Sequence, residues 1–167
     1  MQAMVLSVIG KDKPGLVDEL AKAVKQVNGN WLRSSFCHLS GHFAGFVEIM
    51  LPKEMHNKLV EQCHTISSLQ ITLLPAHVES PESSVEINIK VTGNDRQGIV
   101  SDVTGALKTF DLNITELQTS CDSAPNWGSL LFTANIKIHA PENFDAAKII
   151  EAIESIADDL IVDLRLD

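Results

Sequence analysis

Asp12 and Asp95 each stand between two glycines in a short segment that occurs twice. Val8–Val17 reads V-I-G-K-D-K-P-G-L-V and Val91–Val100 reads V-T-G-N-D-R-Q-G-I-V. Gly10, Asp12 and Gly15 recur as Gly93, Asp95 and Gly98 at a constant offset of 83 residues. An apolar run leads into each copy and a helical pattern leads out, so each copy is a strand-to-helix turn. The first N–H groups of a helix have no partner within it. Glycines let the backbone take positive φ or approach another group closely. Such a turn can offer N–H groups to a ligand carboxylate while its aspartate takes a ligand ammonium. The same aspartates are also placed to cap the helix. The candidate ligand-binding residues are Gly10, Lys11, Asp12, Lys13, Pro14, Gly15 and Leu16 in the first copy, and Gly93, Asn94, Asp95, Gly98 and Ile99 in the second. Pro14 stiffens the first copy, whereas Arg96-Gln97 replaces Lys13-Pro14 in the second. The first copy is therefore the better ligand candidate, and the second is expected to keep a structural role.

Other reactive side chains form no comparable pattern. Cys37 and His38 are neighbours on an expected strand and point to opposite faces. Neither they nor Cys63-His64 have the paired spacing of a metal site. No G-x-S-x-G occurs, and no activated nucleophile with a base in reach can be read from the chain. No catalytic residue, metal or cofactor is expected, and Cys63 reads as a core position of a helix. The acidic residues Glu151, Glu154, Asp158, Asp159, Asp163 and Asp167 read as a solvated face, with a partner surface as the other reading.

The elements that position the two turns can be read from hydrophobic periodicity. Met4 to Ile9 is an apolar strand. Leu16, Leu20, Val24 and Val27 recur at helical spacing until Asn28-Gly29, where glycine is expected to supply the left-handed cap. A strand from Asn30 to about Leu39, a hairpin turn at Gly41-His42 and a strand from Ala44 to Leu51 follow. Pro52 stops that strand. Met55, Leu59, Val60, Cys63 and Ile66 make a second helix, and Gln70 to Leu74 a fourth strand. After the polar segment Glu79 to Ser83 the plan repeats. Val85, Ile87, Ile89 and Val91 alternate with polar residues. Ile99, Val103, Leu107 and Phe110 match the first helix at the same offset of 83. Ile114 to about Ser120 and a strand containing Leu130 to Ile138 follow. Pro141 stands 89 residues after Pro52, which places about six extra residues around Asp122 to Gly128, with Trp127 among them as a candidate anchor. A helix from Phe144 to Ala157 and a strand from Leu160 to Leu166 complete the copy. Each copy is thus β-α-β-β-α-β, a ferredoxin-like α+β unit with four antiparallel strands and both helices on one face. The expected boundaries are residues 1–78, a linker at 79–83 and residues 84–167.

Composition fits this division. With 167 residues and 44% apolar content the chain suits two small globular units rather than a disordered one. A net charge of −9 with 13 scattered basic residues argues against a nucleic-acid surface. No apolar run is long enough for a transmembrane helix, and the N-terminus lacks a signal-peptide pattern. Three cysteines without matching positions point to free thiols and a cytoplasmic location.

The G-x-D-x-x-G turn between strand and helix, the β-α-β-β-α-β order and the tandem copies resemble the ACT domain family. The resemblance covers about Met4 to Leu166 and leaves no catalytic domain or helix-turn-helix. It implies a non-enzymatic regulatory module that binds an amino acid near this turn, at an interface between two domains. Within the family, the free-standing pair and the hairpin Ser40 to Phe46 resemble transcriptional repressors of glycine cleavage genes. That implies glycine or a similar metabolite as ligand, and a LysR-type activator, rather than DNA, as partner. A regulatory subunit or adaptor of an amino-acid enzyme is the alternative. Open sheet edges make pairing of domains or chains an expectation as well.

Overall fold

The computed structural model describes residues 1–76, 84–123 and 130–166. The chain divides into two units, Met1–Glu79 and Ser80–Asp167. The expected linker and Trp127 lie outside the described residues.

In the first unit, β1 (Gln2–Lys11) enters α1 (Leu16–Gln26), and β2 (Asn30–Leu39) and β3 (His42–Leu51) form a hairpin. A single 3-10 turn at Lys53–Met55 leads into α2 (His56–Thr65) and then β4 (Leu69–Pro75). The antiparallel sheet has the order β2-β3-β1-β4, so β1 is central and β2 lies at an edge. The second unit repeats this with β5 (Ser84–Asn94), α3 (Ile99–Lys108), β6 (Asn113–Ser123), β7 (Leu130–Pro141), α4 (Ala146–Glu154) and β8 (Ile161–Leu166). Its sheet order, β6-β7-β5-β8, is the same.

Alternation along the central strands explains the layering. Met4, Leu6 and Val8 of β1 and Val47, Ile49 and Leu51 of β3 are buried with Leu16, Leu20 and Val24 of α1 and Leu59 and Cys63 of α2. Ile87, Ile89 and Val91 of β5 play the same part with Ile99, Val103 and Leu107 of α3 and Ile149 and Ile153 of α4. Each buried side chain of this size is worth roughly 1.5–3 kcal/mol. Burial pushes the Cys63 thiol up to about 11, in keeping with an inert core position.

The expected elements are all present, with shifts at their ends. The β2–β3 turn is Ser40-Gly41, both with positive φ, and His42 already pairs with Leu39. A two-residue turn of that hand matches the twist of the strands it joins. At the end of α1 it is Asn28, not Gly29, that takes the left-handed conformation, with φ 54°. Gly29 answers a different need, because a Cβ there would lie 2.9 Å from Val24 Cγ1. Asp111 repeats the Asn28 conformation in the second unit, with φ 56°. Helix α4 is shorter than expected because Phe144 packs on the core from the turn before it, and the Asp145 side chain caps it by accepting the Lys148 N–H. Asp122 and Ser123, expected in the inserted loop, extend β6 instead.

Candidate functional site

Each strand-to-helix turn is built by two glycines with different tasks. Gly15 and Gly98 are the N-cap residues, with φ 93° and 83°, a region that other residues rarely adopt. Gly10 and Gly93 serve close approach. A Cβ on Gly10 would collide with the Ser68 carbonyl oxygen, and one on Gly93 would lie 2.6 Å from Leu160 Cδ2 and 3.1 Å from the Asp159 carbonyl. Each first glycine thus lets the chain leading into the last strand of its unit cross over it.

The aspartates do not cap the helices, contrary to the sequence expectation. Neither α1 nor α3 has a side-chain cap. The physical reason is that the N-cap falls on Gly15 and Gly98, three residues beyond each aspartate. The first helical bonds run from the Glu19 N–H to Gly15 O (2.9 Å) and from the Asp102 N–H to Gly98 O (3.0 Å). The Asp12 N–H instead donates to Gly41 O at the tip of the β2–β3 hairpin (3.0 Å), and the Asp95 N–H donates to Leu130 O at the start of β7 (2.9 Å). Each aspartate is thereby pinned to the hairpin of its own unit.

The side chains of the two turns are arranged in parallel. Lys13 Nζ lies 3.0 Å from Glu19, and Arg96 lies 2.7 Å from Asp102, each pair recurring at the offset of 83. These half-exposed pairs hold the turn cation against the first turn of the helix, and such surface pairs contribute little stability. Asp12 faces the edge strand, with its carboxylate 3.6 Å from His38 Nε2. Asp95 faces Cys121, and desolvation together with a hydrogen bond to Asp95 holds the thiol above its ordinary pKa. His38 and Cys121 are equivalent positions, since both sit across from a phenylalanine, Phe43 or Phe132, that in turn pairs with the first glycine. Sequence reasoning missed these two residues because their types differ. The signal was available in their offset of 83 residues.

Beyond the aspartates the two sites diverge. In the second unit the Asn94 N–H donates to Asp159 Oδ2 at 2.9 Å. That bond lowers the Asp159 pKa below the usual carboxylate range, with Arg96 adding a smaller Coulombic contribution. The residue at the matching crossover of the first unit is Ser68, whose Oγ is buried and has no hydrogen-bond partner among the described residues. Next to His38, the first unit also has an aromatic ribbon. Phe36 stacks on Phe43 at 4.9 Å and meets Trp31 at 6.2 Å. The second unit has Thr119 and Ile114 at the positions matching Phe36 and Trp31.

Residues Lys11, Pro14, Leu16, Asn94 and Ile99 complete the predicted set. Leu16 and Ile99 are buried as the first residues of their helices, so they seat the turn on the core. Lys11 and Asn94 end β1 and β5, and Pro14 is exposed in the turn. Among the described residues, no three His, Cys, Asp and Glu side chains gather as a metal site. No helix among them is long and apolar enough to cross a membrane.

Residues 2–71 match the ACT domain. The second unit lies outside that match and repeats the same ferredoxin-like fold. It is similar to the glycine cleavage system transcriptional repressor of Escherichia coli (strain K12), at 22% identity over 162 residues, covering 94% of this chain and 85% of that protein. A crystal structure of a protein of unknown function from Galdieria sulphuraria has a TM-score of 0.86 at 29% identity, covering 99% of this chain and 98% of its own. The crystal structure of a protein provisionally named a glycine cleavage system transcriptional repressor has a TM-score of 0.66 at 13% identity, covering 99% and 98% of the two chains. That last likeness is one of fold alone.

Proposed function

We propose that this chain is a non-enzymatic regulator whose first ACT turn binds an amino acid, glycine or one of similar size. Ligand binding changes its affinity for a protein partner that controls glycine cleavage genes, in keeping with the repressor it resembles over nearly its whole length. The partner on this reading is a LysR-type activator rather than DNA, because 13 basic residues against 22 acidic ones give no phosphate-binding surface. The protein works in the cytoplasm on this reading.

The observation that carries the ligand assignment is the contrast at the crossover. The turn of the second unit already has a carboxylate, Asp159, on its Asn94 N–H. The first unit has Ser68 there, and its turn is left to an external carboxylate. Asp12 then takes the ligand ammonium. A ligand shifts the protein toward one state only if it binds that state better.

Titration calorimetry of the protein with glycine, serine and other small amino acids tests this. Saturable binding of one molecule per chain is the expected result, and no heat from any of them would remove the sensor role. Pull-down of a LysR-type activator from the native host, with and without the bound amino acid, tests the partner separately.

A further inference from the structure

The two sheets differ most on the faces that carry no helices. On the first sheet, Phe46, Ile9 and Leu74 lie on that face and are 60%, 51% and 50% exposed. On the second, the corresponding central positions are Glu86 beside His139, Asn88 beside Lys137, Lys90 beside Asn135 and Thr92 beside Thr133. Lys137 pairs with Glu86 and Glu116 across that polar face. The first face is apolar by contrast, and an exposed apolar sheet face marks an interaction surface.

Cross-strand register shows what fits there. Along β1 and β3 the neighbours on this face are Ala3 with Met50, Val5 with Glu48, Ser7 with Phe46 and Ile9 with Ala44. Three of the four rows pair a large apolar side chain with a small one. A two-fold axis parallel to the strands, midway between β1 and β3, turns each β1 position onto the β3 position of the same row in a second molecule. Every large residue in those three rows then lands on a small one: Phe46 on Ser7, Met50 on Ala3, Ile9 on Ala44. Large-on-small alternation is how facing layers interdigitate. The same axis turns β4 onto β2 and carries Leu74 toward a shallow hollow of about 290 Å3 lined by Val5, Arg33, Ser34, Ser35, Phe46 and Glu48. Glu48, the one acidic residue in the four rows, is already paired with Arg33.

Charge points to the same occupant. Residues 1–79 contain seven acidic and seven basic side chains, whereas residues 80–167 contain fifteen acidic and six basic. The whole net charge of −9 therefore belongs to the second unit. A strongly charged partner finds no counter-charge on the first sheet, while an identical neutral face is its chemical match.

We propose that the helix-free face of the first sheet is an isologous docking surface for a second copy of this chain, with Phe46 and Ser7 at its centre. Sedimentation velocity of the full chain tests it. The expected mass is twice the 18.2 kDa of one chain. Phe46→Glu should weaken association by about 30-fold or more, as loss of a central aromatic anchor does. Lys137→Glu, on the polar face, should leave it unchanged. The register supplies a sharper test. Ser7→Phe alone should block association by placing two large side chains together, and Ser7→Phe with Phe46→Ser should restore it. Circular dichroism of each variant separates lost pairing from lost folding. A wild-type protein that stays single at tens of micromolar would overturn the proposal. So would a dimer indifferent to Phe46→Glu, or a folded double variant that associates no better than Ser7→Phe.

Discussion

In the first unit the turn has His38 beside its aspartate and Ser68 at the crossover; in the second it has Cys121 and the Asp159 carboxylate. Backbone geometry is nearly the same, with N-cap φ values of 93° and 83° and an aspartate N–H tied to the adjoining hairpin in both. The fold therefore fixes the shape of the turn, and residues brought in from elsewhere in the unit decide which groups surround it. The copies differ at the crossover: in the second, a carboxylate of the same unit takes the Asn94 N–H, and in the first the matching residue is Ser68.

Three substitution pairs and one single substitution break or sharpen this comparison. The largest effect is expected at the first glycines, and it should be unequal. Gly10→Ala sets a Cβ against a backbone oxygen, which cannot move without shifting β4, whereas Gly93→Ala first meets the flexible end of Leu160. Denaturant unfolding should show a loss of about 3 kcal/mol for Gly10→Ala and about 1 kcal/mol for Gly93→Ala. Equal losses would mean the two crossovers are equally rigid.

Next come the aspartates. Asp12→Ala should weaken amino-acid binding by about tenfold, the loss of one charged partner, while Asp95→Ala should change it by less than about twofold. Calorimetry checks both, and equal effects would make the sites equivalent.

A smaller effect belongs to Asp159. Its pKa is depressed in the folded chain, so its contribution is full above the ordinary carboxylate value and is lost as pH falls through the folded value. Asp159→Ser should flatten the loss of stability in acid below about pH 4, followed by thermal unfolding across pH. It should also free the Asn94 N–H and raise the calorimetric stoichiometry. A stoichiometry that stays at one would show that more than this carboxylate closes the second turn.

The smallest effect is expected at the turn cations. Lys13→Gln and Arg96→Gln should each change stability by less than about 0.5 kcal/mol, since both pairs are half-exposed.

Most of the fold was legible in the sequence because local periodicity specifies it. Leu16, Leu20 and Val24 share a helix face, and Val85, Ile87, Ile89 and Val91 share a strand face, whatever else the chain does. The turn was legible because it occurs twice. What escaped depended on distance or on geometry without a residue signature. Asp159 reaches Asn94 across 65 residues, through a crossover that no local pattern marks. The capping alternative for the aspartates fits the residue type, and only the left-handed Gly15 and Gly98 show that each helix begins three residues later. Asn28 supplied the left-handed end that Gly29 was expected to supply, and Asp111 takes the same conformation in the second unit. Asn and Asp tolerate that conformation better than other non-glycine residues.

The Asp159–Asn94 bond also sets a threshold. A carboxylate attached to the same chain competes with free ligand at an effective concentration of roughly millimolar. On the proposed function, a metabolite present well below that level cannot displace it, and the second turn would take ligand only at higher concentration than the first. On that same proposal residue 159 would act as a gain control, a single codon setting whether one turn or two take the ligand.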